Sequence, residues 1–317
     1  MNILFAITGI AFALFVAFLF SFDRKKIDFK KTLIMIFIQV LIVLFMMNTT
    51  IGLTILTALG SFFEGLINIS KAGINFVFGD IQNKNGFTFF LNVLLPLVFI
   101  SVLIGIFNYI KVLPFIIKYV GIAINKITRM GRLESYFAIS TAMFGQNGKT
   151  GKPKKVAFFQ MIGDSAMDGF KIAVVVAVML LAFISLMEAI NIMFGSVGLN
   201  FKQLIGYVFA PIAFLMGIPW SEAVPAGSLM ATKLITNEFV AMLDFKNVLG
   251  DVSARTQGII SVYLVSFANF GTVGIIVGSI KGISDKQGEK VASFAMRLLL
   301  GSTLASIISG SIIGLVL

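Results

Sequence analysis

The chain has 317 residues, of which 58% are apolar and 12% charged, and its formal net charge is +11. This composition excludes an ordinary soluble domain, which carries nearer a quarter charged residues, and a disordered chain, which combines low hydrophobicity with high charge. The apolar runs are continuous and about twenty residues long, as spanning helices require, whereas a β-barrel would alternate. The sequence therefore predicts an all-α polytopic membrane protein.

The first part of the chain, residues 1–110, is predicted to form scaffold spans. Its apolar segments cover residues 1–22, 33–59 and 88–110. The first segment lacks leading basic residues and precedes a charged cluster, so it is predicted to be a true span with its N-terminus outside, not a cleaved signal peptide. The mixed residues 60–87 are predicted to lie along the outer surface as an amphipathic piece.

Residues 111–147 are predicted to form an interfacial helix and the first half of a hairpin. In residues 111–132 the bases Lys118, Lys126, Arg129 and Arg132 are separated by apolar residues, the pattern of a helix on an anionic leaflet. Residues 133–146, LESYFAISTAMFGQ, are too short to span. The stretch GKTGKPKK then opens a segment, residues 148–167, that is predicted to be a polar linker.

The remaining residues, 168–317, are predicted to form a transport half. Apolar segments cover residues 168–193, 201–217, 258–280 and 291–317, and the polar-flecked segment 218–243 is interrupted by Pro225 and Gly227. With the N-terminus outside, most of the 25 basic residues fall in inside loops, as the positive-inside rule requires. The six assigned to outside segments are Lys71, Lys84, Lys202, Lys233, Lys246 and Arg255.

Two broken segments, residues 133–147 and 218–243, enter the membrane from opposite sides on this topology. Such segments must line a cavity or be buried in protein, and inverted repeats with broken helices are a recurring transporter plan. The second segment is followed by two spans, but the first is followed at once by GKTGKPKK. We therefore predict re-entrant hairpins in an inverted-repeat transporter whose first repeat is truncated, missing about a half-hairpin and two helices.

Polar residues at membrane depth are the candidate functional residues, because they are expensive there. A carboxylate with nearby amides can grip paired hydroxyls, and a Phe ring suits a flat ligand, which together predict a site for a polyol or a base. Structural roles remain open as alternatives. An Asn or Thr in a span can instead make a helix–helix hydrogen bond, and Glu222, a further acidic residue at the start of the segment 218–243, can instead complement a helix N-terminus. The candidates are Glu238, Asn237, Asn269, Thr272 and Phe267 in the second half, and Gln146 in the first hairpin.

The chain contains no Cys and no His. Disulfides, thiolate chemistry, zinc sites built on His and His general bases are therefore excluded. Because the spans show no paired intramembrane carboxylates on one helix face, the chain is not predicted to be an enzyme. No segment interleaves bases with aromatics as a nucleic-acid site would, so lipid is the expected partner and nucleic acid is not.

The segments MGIPWSEAVPAGSLMATKLITNEFVA and SVYLVSFANFGTVGIIVGSIKG resemble the carboxyl half of the concentrative nucleoside transporter family. The similarity is close over roughly residues 160–317, and ESYFAISTAMFGQ is similar to the family's first hairpin half. The resemblance implies nucleoside uptake at the cell inner membrane by a homotrimer, with symport of sodium or protons and no bound cofactor. A transport-inactive trimerising scaffold with residual nucleoside binding is the alternative.

Carried over by position, the resemblance implies roles for the candidate residues. It places Glu238 on the ribose hydroxyls, Asn269 and Thr272 on the sugar, and Phe267 near the base. Asn269 and Thr272 are then expected in a broken helix near residues 267–274 that meets the hairpin at 218–243. The family's first hairpin tip reads GQ, then Ser or Thr, then Glu; here Gln146 is followed by Asn and Gly, so the tip Glu is absent. Part of the family's sodium site belongs to the missing region, which predicts that substrate movement is independent of sodium.

Overall fold

The computed structural model describes residues 2–79, 88–128, 157–281 and 285–317, which are helical apart from short connections. Short 3-10 turns occupy Arg24–Lys26 and Leu249–Asp251, and a π-helical turn occupies Phe90–Leu94. The α-helices are α1 (Asn2–Leu19), α2 (Phe29–Asn48), α3 (Thr50–Phe78), α4 (Pro96–Tyr109), α5 (Val112–Thr128), α6 (Phe158–Gly195), α7 (Phe201–Leu215), α8 (Trp220–Ile235), α9 (Glu238–Val248), α10 (Ala254–Leu264), α11 (Phe270–Lys281), α12 (Asp285–Ser293) and α13 (Ala295–Ile313).

Five helices of the described residues are long and apolar enough to cross a membrane. They are Phe29–Asn48, Thr50–Phe78, Phe90–Tyr109, Phe158–Gly195 and Ala295–Ile313, and α1 is apolar but shorter. The pair formed by α7 and α8 also passes as one span, but it bends by 116° between the two helices. The chain is therefore a multi-pass helical membrane protein with a broken segment in its carboxyl half, as predicted.

Two predicted boundaries are wrong. The span expected over residues 33–59 is divided, because α2 ends at Asn48 and α3 begins at Thr50. The Thr49 backbone N–H and hydroxyl both donate to the Phe45 carbonyl, at 3.2 and 2.7 Å, and close the last turn of α2. The amphipathic piece expected from residue 60 is, as far as residue 78, the second half of the 29-residue α3.

The other wrong boundary concerns the linker expected over residues 148–167. Its last ten residues are helical, since the 38-residue α6 begins at Phe158 and not at the predicted residue 168. In this part of α6 Met161 is buried while Asp164 is exposed, so the stretch fits an amphipathic helix. The first hairpin segment, 133–147, lies outside the described residues.

The chain divides into two compact units. One comprises Thr50–Ala182, and in it α4 packs against α3 and α5. Small residues also bring α4 close to α6: a Cβ added at Gly169 would lie 2.7 Å from the Ser101 side chain. Residues 111–132, predicted to form an interfacial helix, contain the helix α5, in which Lys118 and Lys126 lie among apolar residues.

The other unit comprises Met1–Thr49 and Phe183–Leu317 and contains the candidate site. In this unit α8 packs against α7, α9 and α10, while α13 packs against α1 and α10. Nearly all members of its buried core lie in the carboxyl-terminal part of the chain. They include Met216 and Ile218 between α7 and α8, and Met230, Ile259, Ile260, Tyr263, Leu264 and Ile307 on the helices. The broken segments of the carboxyl half are thus embedded in protein, as backbone at membrane depth must be.

Close approach of α7 and α8 depends on Gly227. A Cβ there would lie 2.5 Å from the Gly206 carbonyl oxygen and 2.8 Å from the Ala210 nitrogen, both backbone atoms that cannot rotate away. We expect Gly227→Ala to lower stability by roughly 1–3 kcal/mol, because overpacking outweighs the gain in helix propensity. The fluorescence of Trp220, the single Trp of the chain, reports thermal unfolding in detergent from the start of α8.

Gly301→Ala is the matched control for this substitution. Gly301 is also inside a helix, but nothing lies within 4 Å of an added Cβ. The control should unfold at or slightly above the wild-type temperature, because Ala favours the helix by up to about 1 kcal/mol. Equal midpoints for the two variants would show that Gly227 is not required for the α7–α8 contact.

Candidate functional site

The segment predicted as the second hairpin is a helix pair interrupted at Thr236 and Asn237. The predicted interruption at Pro225 and Gly227 is wrong, because both residues lie inside α8. At the end of α8, the Thr236 backbone N–H and hydroxyl both donate to the Thr232 carbonyl, at 2.8 and 2.6 Å. The Asn237 side-chain oxygen accepts from the Val240 N–H at 3.0 Å and caps α9. Glu238 therefore occupies the first turn of α9, where a carboxylate also complements the helix dipole.

A second interruption separates α10 from α11. The first of these helices ends at Leu264 and the second begins at Phe270. The Thr272 N–H donates to the Asn269 side-chain oxygen at 2.7 Å, so Asn269 acts as a cap for α11. The break lies within the region, around residues 267–274, where a broken helix was predicted to meet the hairpin.

The two interruptions meet at a buried polar pair. The Asn269 side-chain amide donates to the Glu238 Oε2 at 2.8 Å. Glu238 is 7% exposed, Asn269 1% and Thr272 8%. The predicted meeting of the hairpin and the broken helix is therefore confirmed, and it is made by side chains that the sequence had singled out.

The remaining candidates differ in position. Phe267 lies two residues before Asn269 in the same interruption, and its ring is 43% exposed. Asn237 adjoins Glu238, but its side-chain oxygen is occupied by the α9 cap. Gln146 lies outside the described residues. Glu222 accepts from the N–H and hydroxyl of Ser253, the cap residue of α10, which agrees with its alternative role at a helix N-terminus.

Lys233 lies in the protein core and not in an outside loop. It was assigned to an outside segment, but its side chain is completely buried in the last turn of α8. The ammonium donates to the Tyr263 carbonyl at 2.7 Å, to the Ser266 hydroxyl at 2.5 Å and to the Ser306 hydroxyl at 3.5 Å. It also lies 4.3 Å from the centroid of the Tyr263 ring, a cation–π contact.

A signal for Lys233 was present in the sequence. The residue lies five positions before Glu238 inside a segment already predicted to be broken and at membrane depth, where a base is a functional suspect by the same argument as an acid. Because Lys233 is buried, it does not belong with the bases of the outside segments. The other five outside bases then face 19 inside bases, so the positive-inside bias is stronger than with Lys233 included.

A cavity of about 110 Å³ lies beside this region but does not include Glu238 or Asn269. Its polar lining includes Glu188, Asn191 and the ion pair of Lys202 with Asp244, whose charged atoms are 2.7 Å apart. Ligand pockets usually measure about 300–1,000 Å³, so this cavity is too small for a nucleoside-sized ligand. Among the described residues no group of three acidic side chains is arranged to hold a metal ion.

Comparison with known proteins identifies related chains. A family model described as "Na+ dependent nucleoside transporter C-terminus" matches residues 121–314, and the corresponding N-terminus model matches residues 8–81. The purine nucleoside transport protein NupG of Bacillus subtilis is 28% identical, with 99% of each chain covered. The nucleoside permease NupC of Helicobacter pylori is 24% identical, with 98% of this chain and 97% of the relative covered.

The fold is also that of solved transporter structures. CNTnw in an inward-facing substrate-bound state superposes with a TM-score of 0.89 at 25% identity, over 99% of this chain and 98% of that chain. The NupG alignment runs over 396 positions against the 317 residues of this chain, so this chain leaves at least 79 of those positions unfilled. A shortfall of that size agrees with the predicted truncation.

Proposed function

Because the chain belongs to the Na⁺ dependent nucleoside transporter family, we propose that it binds nucleosides at Glu238 and Asn269 and moves them across the cell inner membrane. The observation that carries the proposal is the buried hydrogen bond between these two side chains where two helix interruptions meet. Such a pair is costly at membrane depth unless it serves a polar solute. The relatives named for nucleoside transport support the substrate class.

The chemistry of the pair suits a ribose. A carboxylate has about four acceptor positions, and Glu238 Oε2 uses one of them to accept from the Asn269 amide. The other oxygen suits the neighbouring 2′ and 3′ hydroxyls, which donate hydrogen bonds. Thr272, at the start of α11, adds a hydroxyl close to Asn269. The partly exposed Phe267 side chain offers a stacking surface for the base.

The assembly and orientation of the protein belong to the same proposal. We place the N-terminus outside, because the basic residues then concentrate in the inside loops. A homotrimer follows from the resemblance to the family. The large apolar side chains exposed on α2 and α3, such as Phe37 at 62% and Ile51 at 66%, suit contact with lipid or with neighbouring subunits.

We expect nucleoside movement through this chain to be independent of sodium. An ion site needs several oxygen ligands, and a gradient drives transport only when ion binding distinguishes two conformations. The helices that the truncation removes carry part of that site in the family, and each lost ligand leaves charge unsolvated in a low-dielectric setting. Proteoliposomes should therefore equilibrate labelled uridine at the same rate with sodium or potassium outside.

The same assay decides between the two functions. Uptake to equilibrium that is abolished by Glu238→Gln supports the permease. Uridine binding in detergent without uptake favours the transport-inactive scaffold. Accumulation above equilibrium with sodium outside, and not with potassium, contradicts the predicted loss of coupling.

A further inference from the structure

Lys233 joins three helices through one ammonium group. The residue lies in the last turn of α8, and its hydrogen-bond acceptors belong to α10, to the interruption after α10 and to α13. A charge in a membrane protein interior persists only where it is paired and hydrogen-bonded. All three of its N–H groups have an acceptor, so this lysine is built into the fold, unlike the exposed Lys246 on α9.

The contacts of Lys233 lie where the broken helix stops. Tyr263 is in the last turn of α10, whose terminal carbonyls have no partner within the helix. A cation there satisfies such a carbonyl and complements the negative end of the helix dipole. Ser266 is in the interruption itself, and its hydroxyl lies 2.5 Å from that of Ser306 on α13. Lys233 thus holds the amino-terminal side of the interruption.

Glu238 holds the carboxyl-terminal side of the same interruption through Asn269. Lys233, in the last turn of α8, and Glu238, in the first turn of α9, flank the break between these two helices. We propose that Lys233 is a positioning residue for substrate: it fixes the interruption between Leu264 and Phe270 so that Asn269 stays within reach of Glu238. This inference rests on the proposed nucleoside site.

The positioning role can be separated from simple packing. Met fills nearly the same volume as Lys but donates no hydrogen bond, so the variant removes the contacts of the ammonium with little change in packing. We expect Lys233→Met to weaken uridine binding by about ten-fold or more in isothermal titration, since charged hydrogen bonds are lost. The control Lys246→Met should bind uridine as the wild type does.

A double variant tests whether Lys233 acts through Glu238. If it does, Lys233→Met in the Glu238→Gln background should weaken binding by a much smaller factor than in the wild-type background, because coupled residues are not additive. Equal factors in the two backgrounds would overturn the proposal. Unchanged uridine affinity in Lys233→Met itself would overturn it as well.

A second readout needs no nucleoside. The chain has no cysteine, so a single thiol can be introduced without removing others. Val265 is in the interruption and 61% exposed, while Leu204 on α7 is 44% exposed and far along the chain. Lys233→Met should change the maleimide labelling rate of Val265→Cys severalfold and leave that of Leu204→Cys unchanged. Equal rates at Val265→Cys with and without Lys233 would overturn the proposal.

These experiments distinguish a failure of the proposed nucleoside site from a failure of the positioning role of Lys233. If the wild type binds no uridine, the proposed function fails, and the labelling rates still decide whether Lys233 holds the interruption. If Lys233→Met does not fold, Ser266→Ala removes one acceptor of the ammonium with little change in volume. Ser266→Ala should change the uridine affinity and the labelling rate of Val265→Cys in the same direction as Lys233→Met, but by a smaller factor. No change in either quantity would overturn the positioning role.

Discussion

Replacing Glu238 by Gln should weaken nucleoside binding by about ten- to a hundred-fold while leaving the protein folded. The carboxylate is proposed to accept charge-assisted hydrogen bonds from the ribose, each worth about 1.5–3 kcal/mol. Gln keeps the size of the side chain, and its carbonyl oxygen still accepts from the Asn269 amide, so the contact between the two interruptions survives. Isothermal titration with uridine in detergent measures the change in affinity.

Glu222→Gln provides the matched control. This carboxylate belongs to the same helix pair, but its partners are the N–H and hydroxyl of Ser253. Its removal should leave uridine affinity unchanged. If Glu238→Gln also binds uridine with wild-type affinity, the carboxylate is structural and the ribose assignment is wrong.

Asn269→Asp should be more damaging than the change at Glu238. The substitution replaces the amide that donates to Glu238 by a second carboxylate, so two acceptors face each other across 2.8 Å. The oxygen that accepts from the Thr272 N–H is retained, so the α11 cap itself is preserved. Breaking a buried polar pair in this way costs about 3–5 kcal/mol, and we expect a large fall in the unfolding temperature together with loss of uridine binding.

A compensating substitution distinguishes this mechanism from general misfolding. In the double variant Asn269→Asp with Glu238→Gln, the Gln amide can donate to the Asp carboxylate and restore one hydrogen bond with its direction reversed. The unfolding temperature, followed by Trp220 fluorescence, should recover most of the loss, while uridine binding should stay weak because the ribose acceptor is changed. No recovery of the unfolding temperature would contradict the direct contact.

Local features of the chain were predictable because they depend on neighbouring residues. The apolar run at residues 88–110 predicts the span found at Phe90–Tyr109, since an uninterrupted run of that length specifies a helix by itself. An interruption within residues 218–243 was predictable from the polar-flecked pattern of the segment, but its position was not, since Pro225 and Gly227 lie inside α8 and the helix ends at Ile235. The end of α2 was missed, because the capping by Thr49 is a single local hydrogen-bonding event inside a long apolar run.

The sequence alone was sufficient for the class of protein and for the presence of a break within residues 218–243, because hydrophobic run length and polar interruptions act over a few positions. The break near Asn269 was expected only from the family resemblance. Only the tertiary structure decided which polar residues of the two breaks meet. Glu238 and Asn269 are 31 residues apart, and Lys233 finds its acceptors 30, 33 and 73 residues away. Whether a lysine lies in a loop or in the core depends on partners supplied by other helices, which no local pattern around Lys233 specifies. For the same reason, local sequence could not distinguish Glu222, whose carboxylate contacts Ser253 at the start of α10, from Glu238, whose carboxylate contacts Asn269 at the start of α11.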